Sequence, residues 1–362
     1  MGNLPASAAN GGQIARPAGA PAPACRPRGV LQAAALILAG TAALADCPPA
    51  PAPVPGLAFD SRYADDSETR SEIDAGAAAA AAEALRPVDD FLRDLSRRAN
   101  AALDGSDPQA AACVVAQVGT WADADALADL GSNTARLTVG ARLAGFSLVL
   151  LQVAPTAGDA DAMAMIDGWL TRRLYQQIDF WEEDAPDGAR TGNLRAWAAL
   201  AAAATAARTG DAALRYWAAA SAAHVLCSAA PDGHLPQEMR RGRLALQYQL
   251  HAITPLTVTA LLLERQGLPL TGVCGAALDR AVGFALSDLD DGAQSAALSG
   301  AAQSFFDGSD RLEDFHLAWI EAYLRLPGVA HAAEAEALIT RRRPLTYSKL
   351  GGNQTLIWGT LR

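Results

Sequence analysis

Apolar residues recur every three to four positions along most of this chain, which is the spacing of helices that bury one face. In the stretch 75–103 the apolar stripe runs through Ala84, Val88, Leu92 and Leu95. Glycine and proline interrupt the pattern repeatedly, so it predicts one helix after another. The predicted helices span 75–103, 108–130, 134–153, 159–180, 193–209, 211–229, 237–250, 255–266, 273–286 and 312–326.

Strand patterns are weak, and only the segment 354–358 is expected to be extended. Pro87 is expected to kink or divide the first helix, because proline lacks an N–H group and clashes with the preceding turn. About ten helices joined by short loops predict an all-α fold, with antiparallel pairs wound into a toroid or a solenoid. No fixed repeat length is visible, which disfavours a regular repeat array.

The first 45 residues have the pattern of a signal peptide rather than of a folded element. Arg16, Arg26 and Arg28 precede an apolar run over residues 30–45 that ends in Ala43-Leu44-Ala45. A positive region, a short apolar core and small residues at the end are typical of secretory signals. We therefore expect a periplasmic or secreted protein without a membrane span after processing; an N-terminal anchor is the alternative.

Composition and charge exclude several classes of function. The chain has 362 residues, with 29 Lys+Arg against 39 Asp+Glu, and Lys349 is its only lysine. An acidic chain without a basic run is a poor nucleic-acid binder. The five histidines show no metal-ligand spacing, and phosphate-binding and Ser-nucleophile motifs are absent from the sequence. We therefore expect neither a metal nor a cofactor.

If the protein is exported, its remaining cysteines can form disulfides. Cys25 would leave with the signal, and an even number would remain in an oxidising compartment. Of the three possible pairings we favour Cys47 with Cys113 and Cys227 with Cys274. The alternative is that all four are small buried thiols.

One segment carries candidate chemistry, from Asp232 to Tyr248. Arg241 and Tyr248 are seven residues apart, so in one helix both would lie on the same side, about 10 Å apart along the axis. A guanidinium can hold a carboxylate, and its charge lowers the cost of forming a phenolate. The pair therefore suits an acidic polymer, although a solvated helix face with one buried ring has the same pattern.

This segment resembles the alginate lyases of polysaccharide lyase family 5. The resemblance rests on Asp232-Gly233, Leu235-Pro236, Glu238, Arg241, Ala245-Leu246, Tyr248 and Thr254-Pro255-Leu256. Further matches in order are Ser61-Arg62-Tyr63, Thr69-Arg70-Ser71, Pro87 to Asp90, Cys113 with the segment from Trp121 to Leu127, Leu317 to Tyr323 and Leu350 to Asn353. The resemblance covers almost the whole chain after residue 45.

The resemblance implies an incomplete α/α toroid (barrel) of about ten helices with an N-terminal lid loop. The expected organisation is then a signal peptide at 1–45, a Pro-rich lead and lid at 46–74, and the toroid at 75–362. It also implies a lyase that cleaves a 1,4-linked polyuronate by β-elimination, with an acidic polysaccharide as its partner. A monomer is expected.

Residue roles follow from the same resemblance. Asn193 would neutralise the substrate carboxylate, Arg241 would bind and polarise it, and Tyr248 would make both proton transfers. Tyrosine is a weak base at its ordinary pKa of about 10, so Arg241 would have to lower that value. Arg62 and Tyr63 of the lid would contact the sugar, and Trp197 would stack on it. The alternatives are that the lid residues are plain surface and that Trp197, at helical spacing in an alanine-rich chain, belongs to the core.

The sequence departs from the family at two positions of the motif Asn-Asn-His-x-x-Trp, the first of which is Gly192 in place of the first asparagine. Here the stretch reads Asn193-Leu194-Arg195-Ala196-Trp197, with Leu194 where the family has its catalytic histidine, and Gln249 replaces the histidine that follows Tyr248. Three hypotheses follow: a lyase that depends on Tyr248, a binder of anionic polysaccharide in an exopolysaccharide secretion system, or an unrelated use of the scaffold. Arg195 or His234 could supply the missing group.

Overall fold

The computed structural model describes residues 47–361. Its helices are α1 (Ala75–Leu103), α2 (Ala110–Asp123), α3 (Asn133–Thr138), α4 (Gly140–Val153), α5 (Ala160–Asp179), α6 (Asp187–Arg190), α7 (Asn193–Thr209), α8 (Ala212–Leu226), α9 (Pro236–Met239), α10 (Ala245–Arg265), α11 (Val273–Ser287), α12 (Ala293–Ser299), α13 (Ile320–Tyr323), α14 (Ala332–Ile339) and α15 (Gln354–Thr360). Strands β1 (Gly56–Leu57) and β2 (Asp129–Leu130) pair in parallel, and β3 (Thr346–Tyr347) pairs with β4 (Gly352–Asn353) antiparallel.

The helices form two concentric layers. In the inner layer α1, α4, α7 and α10 each pack against the next, and in the outer layer α2, α5, α8 and α11 do the same. The short helices α13 and α15 lie between α10 and α1. This arrangement is the α/α toroid that the helical pattern and the family resemblance predict.

The helix α7 lies at the centre of the core, because alanines make it apolar and thin on every side. The stretch 195–206 is buried throughout. Where α4 crosses α7, a Cβ added to Gly140 would lie 2.9 Å from the main-chain nitrogen of Ala198. Small residues thus let the two backbones approach more closely than larger side chains would permit.

The N-terminal lead and the disulfides attach loops to this body. Gln117 donates to the carbonyl of Pro48 and Trp121 donates to that of Pro51, at 2.8 and 3.0 Å. The disulfides are Cys47–Cys113 and Cys227–Cys274, the two pairings that the sequence favoured. The expected signal peptide, residues 1–45, lies outside the described residues.

Several predicted boundaries are wrong. Pro87 and Pro255 both lie inside unbroken helices, α1 and α10, where tertiary packing outweighs the cost of one missing hydrogen bond. The predicted helix 312–326 is a 3₁₀ turn at 314–317 followed by α13, and the segment expected to be extended at 354–358 is helical in α15.

One stretch of the described chain, 133–156, is long and apolar enough to cross a membrane by length and composition alone. In the structure it comprises α3, α4 and a 3₁₀ turn, and 78% of its most apolar window is buried inside the protein. Its apolar surface is therefore covered by neighbouring helices.

Candidate active site

A cavity of about 370 Å³ opens where the lid meets the inner helices of the toroid. Its walls come from the lid, from the first turns of α7 and α10, from α3 and α4, and from the C-terminal segment around Tyr347. Six of the residues expected in the site line this one cavity: Arg62, Tyr63, Asn193, Trp197, Arg241 and Tyr248. Residues separated by up to 186 positions in sequence are thus brought together.

The centre of the cavity is a cluster of two phenols and two guanidiniums. The hydroxyls of Tyr63 and Tyr248 are in hydrogen-bond contact. Arg62 donates to both hydroxyls, at 2.8 and 3.2 Å. The guanidinium of Arg241 lies 3.8 Å from the ring centroid of Tyr248 and 4.9 Å from that of Tyr63. Both phenolic oxygens therefore lie next to positive charge.

Arg241 contacts Tyr248, but the two residues do not share one helix as the sequence analysis predicted. It does not lie on the helix of Tyr248: it falls in the turn between α9 and a 3₁₀ turn at 242–244, before α10 begins. The turn lets the guanidinium stack on the phenol ring, whereas residues seven apart in one helix would be about 10 Å apart along the axis. Its Nη2 also donates to the carbonyl of Arg70 at 2.8 Å, which ties the lid to this turn.

The two phenols differ in acidity. Burial raises the pKa of Tyr248, and this effect outweighs the opposing charges of Arg241 and Arg62. Burial acts on Tyr63 as well, but Arg62 and Arg241 together lower the pKa of its hydroxyl. The expected acidification by arginine therefore falls on Tyr63, the lid residue, and the hydroxyl of Tyr248 is the less acidic of the two.

Asn193 begins α7 and is held by a buried carboxylate. Its main-chain N–H donates to one oxygen of Glu238 at 2.8 Å, and its Nδ2 donates to the other at 2.9 Å. The first N–H groups of a helix have no partner inside the helix, so Glu238 supplies one from another segment. Burial raises the pKa of Glu238 to about 7 despite these hydrogen bonds. The Oδ1 atom of Asn193 is buried without a partner among the described residues.

Leu194 and Trp197 lie about one helical turn apart on the cavity wall of α7. Leu194 lines the cavity and packs against the apolar cluster around Trp181. Trp197 is only 1% exposed, and its Nε1 donates to Nε2 of His251 at 3.1 Å. The expected stacking of a sugar on Trp197 is therefore wrong, because the indole faces are covered by protein.

The two residues considered as substitutes for the missing histidine lie elsewhere. Arg195 is buried, with its guanidinium 2.5 Å from Glu182 and 3.1 Å from the hydroxyl of Ser221. His234 is paired with Asp232 at 2.7 Å and does not line the cavity. Adjacent helical residues point about 100° apart, so Arg195 faces away from the wall that Leu194 occupies.

The cavity also contains residues that the sequence analysis did not select, namely His251, His316, Phe315, Tyr347 and Lys349. His251 was identifiable in principle, because it lies three residues after Tyr248 and so on the same helix face. The others come from the C-terminal segment, whose position against the toroid no local pattern specifies.

Positive charge dominates the cavity. Arg62, Arg70, Arg241 and Lys349 line it, and none forms an ion pair with an acid within residues 47–361. Burial, with the nearby charge of Arg142, lowers the pKa of Lys349 to about 8. A second cavity of about 260 Å³ shares Arg70, Asn193 and Arg241 with the first, so the groove extends past α7.

An α/α toroid with a positively charged groove and a tyrosine at its centre defines the class of this protein, a polysaccharide lyase. Residues 58–295 match the Alginate lyase family, and the chain belongs to that family.

Named relatives have comparable length. A polysaccharide lyase of Stenotrophomonas maltophilia is 30% identical over 330 residues, which covers 89% of this chain and 93% of that protein. An alginate lyase of Pseudomonas syringae pv. syringae is 25% identical over 83% of this chain and 80% of that protein. Alginate lyase A1-III from Sphingomonas species A1 has a similar fold, with a TM-score of 0.72, 21% identity and coverage of 86% of this chain and 85% of that one.

Proposed function

We propose that this protein cleaves a 1,4-linked polyuronate, of the alginate or polymannuronate type, by β-elimination. The observation that carries the proposal is the position of the Tyr248 hydroxyl, which contacts a second phenol and lies between two guanidiniums inside a cationic cavity. Relatives named alginate lyase support the substrate class, as does a structural neighbour of the same fold determined with a bound tetrasaccharide.

The reaction requires a base, an acid and a counter-charge for the substrate carboxylate. We assign a single proton, and so one negative charge, to the pair of hydroxyls of Tyr63 and Tyr248. Arg62 and Arg241 stabilise this charge, and the proton can lie on either hydroxyl because the two are in contact. When that proton lies on Tyr63, the Tyr248 phenolate takes the proton from C5. The electron pair forms the C4–C5 double bond and expels the glycosidic oxygen at C4, which takes the proton from Tyr248. The phenol pair then carries the same charge as at the start.

The positive side chains of the groove favour a substrate that is an acidic polymer, because they can bind its carboxylates. Arg70 and Lys349 line the cavity, and Arg70 also lines the second cavity that adjoins it, so we assign these two cations to the carboxylates of sugars next to the reacting one. We also propose that the protein is exported, because its N-terminal sequence has the pattern of a signal peptide and it forms two disulfides, and that it acts as a monomer.

The test is the ultraviolet absorbance of the unsaturated uronic acid formed by β-elimination. Polymannuronate, polyguluronate, polyglucuronate and mixed uronans would each be incubated with the full-length chain lacking its expected signal peptide, and with Tyr248→Phe. We expect product from one polymer, and a loss of at least about 100-fold in kcat for Tyr248→Phe, since it removes the hydroxyl assigned to both proton transfers.

Tyr216→Phe is the matched control, because Tyr216 is an exposed tyrosine outside the cavity. Binding of one polymer without any product would instead support the polysaccharide binder that the replacement at Leu194 suggests. Equal activity of the wild type and Tyr248→Phe would exclude the assigned role of Tyr248.

A further inference from the structure

The cavity contains an imidazole next to the reacting phenol. His251 lies one helical turn after Tyr248 in α10, and the two rings meet edge to face with their centroids 6.0 Å apart. A second cavity histidine, His316, is covered by Phe305 and Phe315. Within the described part of the chain, only His251 combines a place on the cavity wall with a ring contact to Tyr248.

The hydrogen bond from Trp197 fixes which nitrogen of His251 carries the proton. An indole N–H is only a donor, so Nε2 of His251 must accept, and the neutral ring then has its proton on Nδ1. Burial lowers the pKa of His251 to about 3, and the facing charges of Lys349, Arg62, His316 and Arg241 act in the same direction. The ring is consequently a neutral donor at any pH at which the protein would be assayed.

The other candidates on the wall of α7 are poorly suited to bind a substrate carboxylate. Leu194 has no polar side-chain atom. Asn193 already donates one of its two Nδ2 hydrogens to Glu238, and its Oδ1 can only accept. Whenever Glu238 behind the amide is ionised, it also repels a second carboxylate in front of it.

We propose that the Nδ1–H group of His251 donates to the carboxylate of the uronic acid whose C5 proton is removed, an inference that rests on the proposed lyase function. Three residues of helix advance about 4.5 Å, so a sugar with C5 at Tyr248 has its carboxylate within reach of His251. As C5 loses its proton, negative charge moves onto that carboxylate, and a preorganised donor stabilises it more than in the ground state. His251 transfers no proton in this step.

Nuclear magnetic resonance tests the tautomer without reference to activity. Two-bond correlations between ring protons and ring nitrogens identify the protonated nitrogen, and His251→Asn assigns the signal. We expect a neutral ring with its proton on Nδ1 across the whole accessible pH range, and a mixture of tautomers in Trp197→Phe. A proton on Nε2, or a ring that titrates near neutral pH, would overturn the proposal.

Kinetics on the active polymer tests the contact with substrate. His251→Phe is expected to lower kcat by about 100-fold, the usual loss for one preorganised donor. His251→Asn places an amide donor near the position of Nδ1 and is expected to recover part of that loss, whereas His251→Gln places its amide near Nε2 and is not. If His251→Phe does not fold, the comparison of the Asn and Gln variants still decides the question.

Two failures can be told apart. A wild type that yields no unsaturated product from any polyuronate refutes the proposed function and this inference with it. An active wild type with His251→Phe equally active, or with the Asn and Gln variants equally impaired, refutes the inference alone. His224→Ala, which changes an exposed histidine on α8, is the control and is expected to match the wild type.

Discussion

At the scale of single residues, buried charge determines how this site is organised. Glu238 is 1% exposed, yet it supplies the partner for the first N–H of α7 and orients the amide of Asn193. The two guanidiniums likewise act on the phenols: they lower the pKa of Tyr63, whereas burial raises the pKa of Tyr248. The pKa of each phenol thus depends on how deeply its hydroxyl is buried as well as on how close it lies to an arginine.

Glu238 gives a prediction about stability and pH. Its pKa is raised from an ordinary 4.5 to about 7, so between these values the unfolded chain releases this proton and the folded protein keeps it. The stabilising contribution is complete below about pH 4.5 and is lost as the pH rises to about 7. Glu238→Gln should remove this decline, as measured by urea unfolding across that range.

The matched control is Glu68→Gln, which neutralises an exposed acid of the lid. It should keep the pH dependence of the wild type. An unchanged decline in Glu238→Gln would show that another group is responsible.

At the scale of elements, the position of the site depends on close packing between inner helices. The N-terminal turn of α7 carries Asn193, and α7 is held against α4 where Gly140 meets Ala198. The catalytic end of the lid is attached through the side chains of Arg62 and Tyr63 and through the main-chain carbonyl of Arg70. The packing of α7 against α4 thereby fixes one wall of the cavity. The other wall is the lid, which is held in place by the same arginine and tyrosine side chains that take part in the proposed reaction.

Gly140→Ala tests the close crossing of α4 and α7. The added Cβ would lie 2.9 Å from a main-chain nitrogen that cannot move independently, so we expect a loss of about 1–3 kcal/mol in the free energy of unfolding. The higher helix propensity of alanine acts against this loss, because it would by itself stabilise the folded protein by about 1 kcal/mol.

Gly168→Ala in α5 separates these two effects, because its Cβ would meet only the flexible end of Arg172, at 3.6 Å. That variant should be unchanged or more stable in urea unfolding. Stabilisation by both alanines would mean that the two helices do not meet as closely as described.

At the scale of the whole molecule, charge is separated. The chain has a formal charge of −10, yet four cations of the cavity form no ion pair within residues 47–361, namely Arg62, Arg70, Arg241 and Lys349. Outside the cavity, Glu182, Asp167 and Glu321 each pair with an arginine. A cationic groove on an acidic body attracts an anionic polymer locally, whereas the remainder of the surface repels it.

This separation predicts a dependence on salt. Raising the ionic strength from about 0.05 M to about 0.5 M should raise KM for the polyuronate several-fold with little change in kcat, since screening weakens attraction more than contacts inside the cavity. Lys349→Met should raise KM at low salt and flatten its dependence on salt. Arg97→Ala, on the exposed face of α1, should do neither.

A large part of the fold could be predicted from the sequence. Apolar spacing is a local property, so it located α1, α7 and α11 to within a few residues. The proline-containing helices failed because local rules for Pro87 and Pro255 ignore the packing that holds the helix on both sides. The catalytic candidates Tyr248 and Asn193 came from motif resemblance, and the cavity brings them together.

The sequence by itself determined the succession of helices and the residues available for chemistry, because each is a matter of spacing or of residue type. It favoured one cysteine pairing of three, and the structure decided for that pairing. Only the tertiary structure decided which of those residues face one another. It placed Arg195 in an ion pair, stacked Arg241 on Tyr248 across a turn and put His251 beside it with its tautomer fixed by Trp197. Burial and charge depend on neighbours that are distant in sequence, so no local pattern contains them.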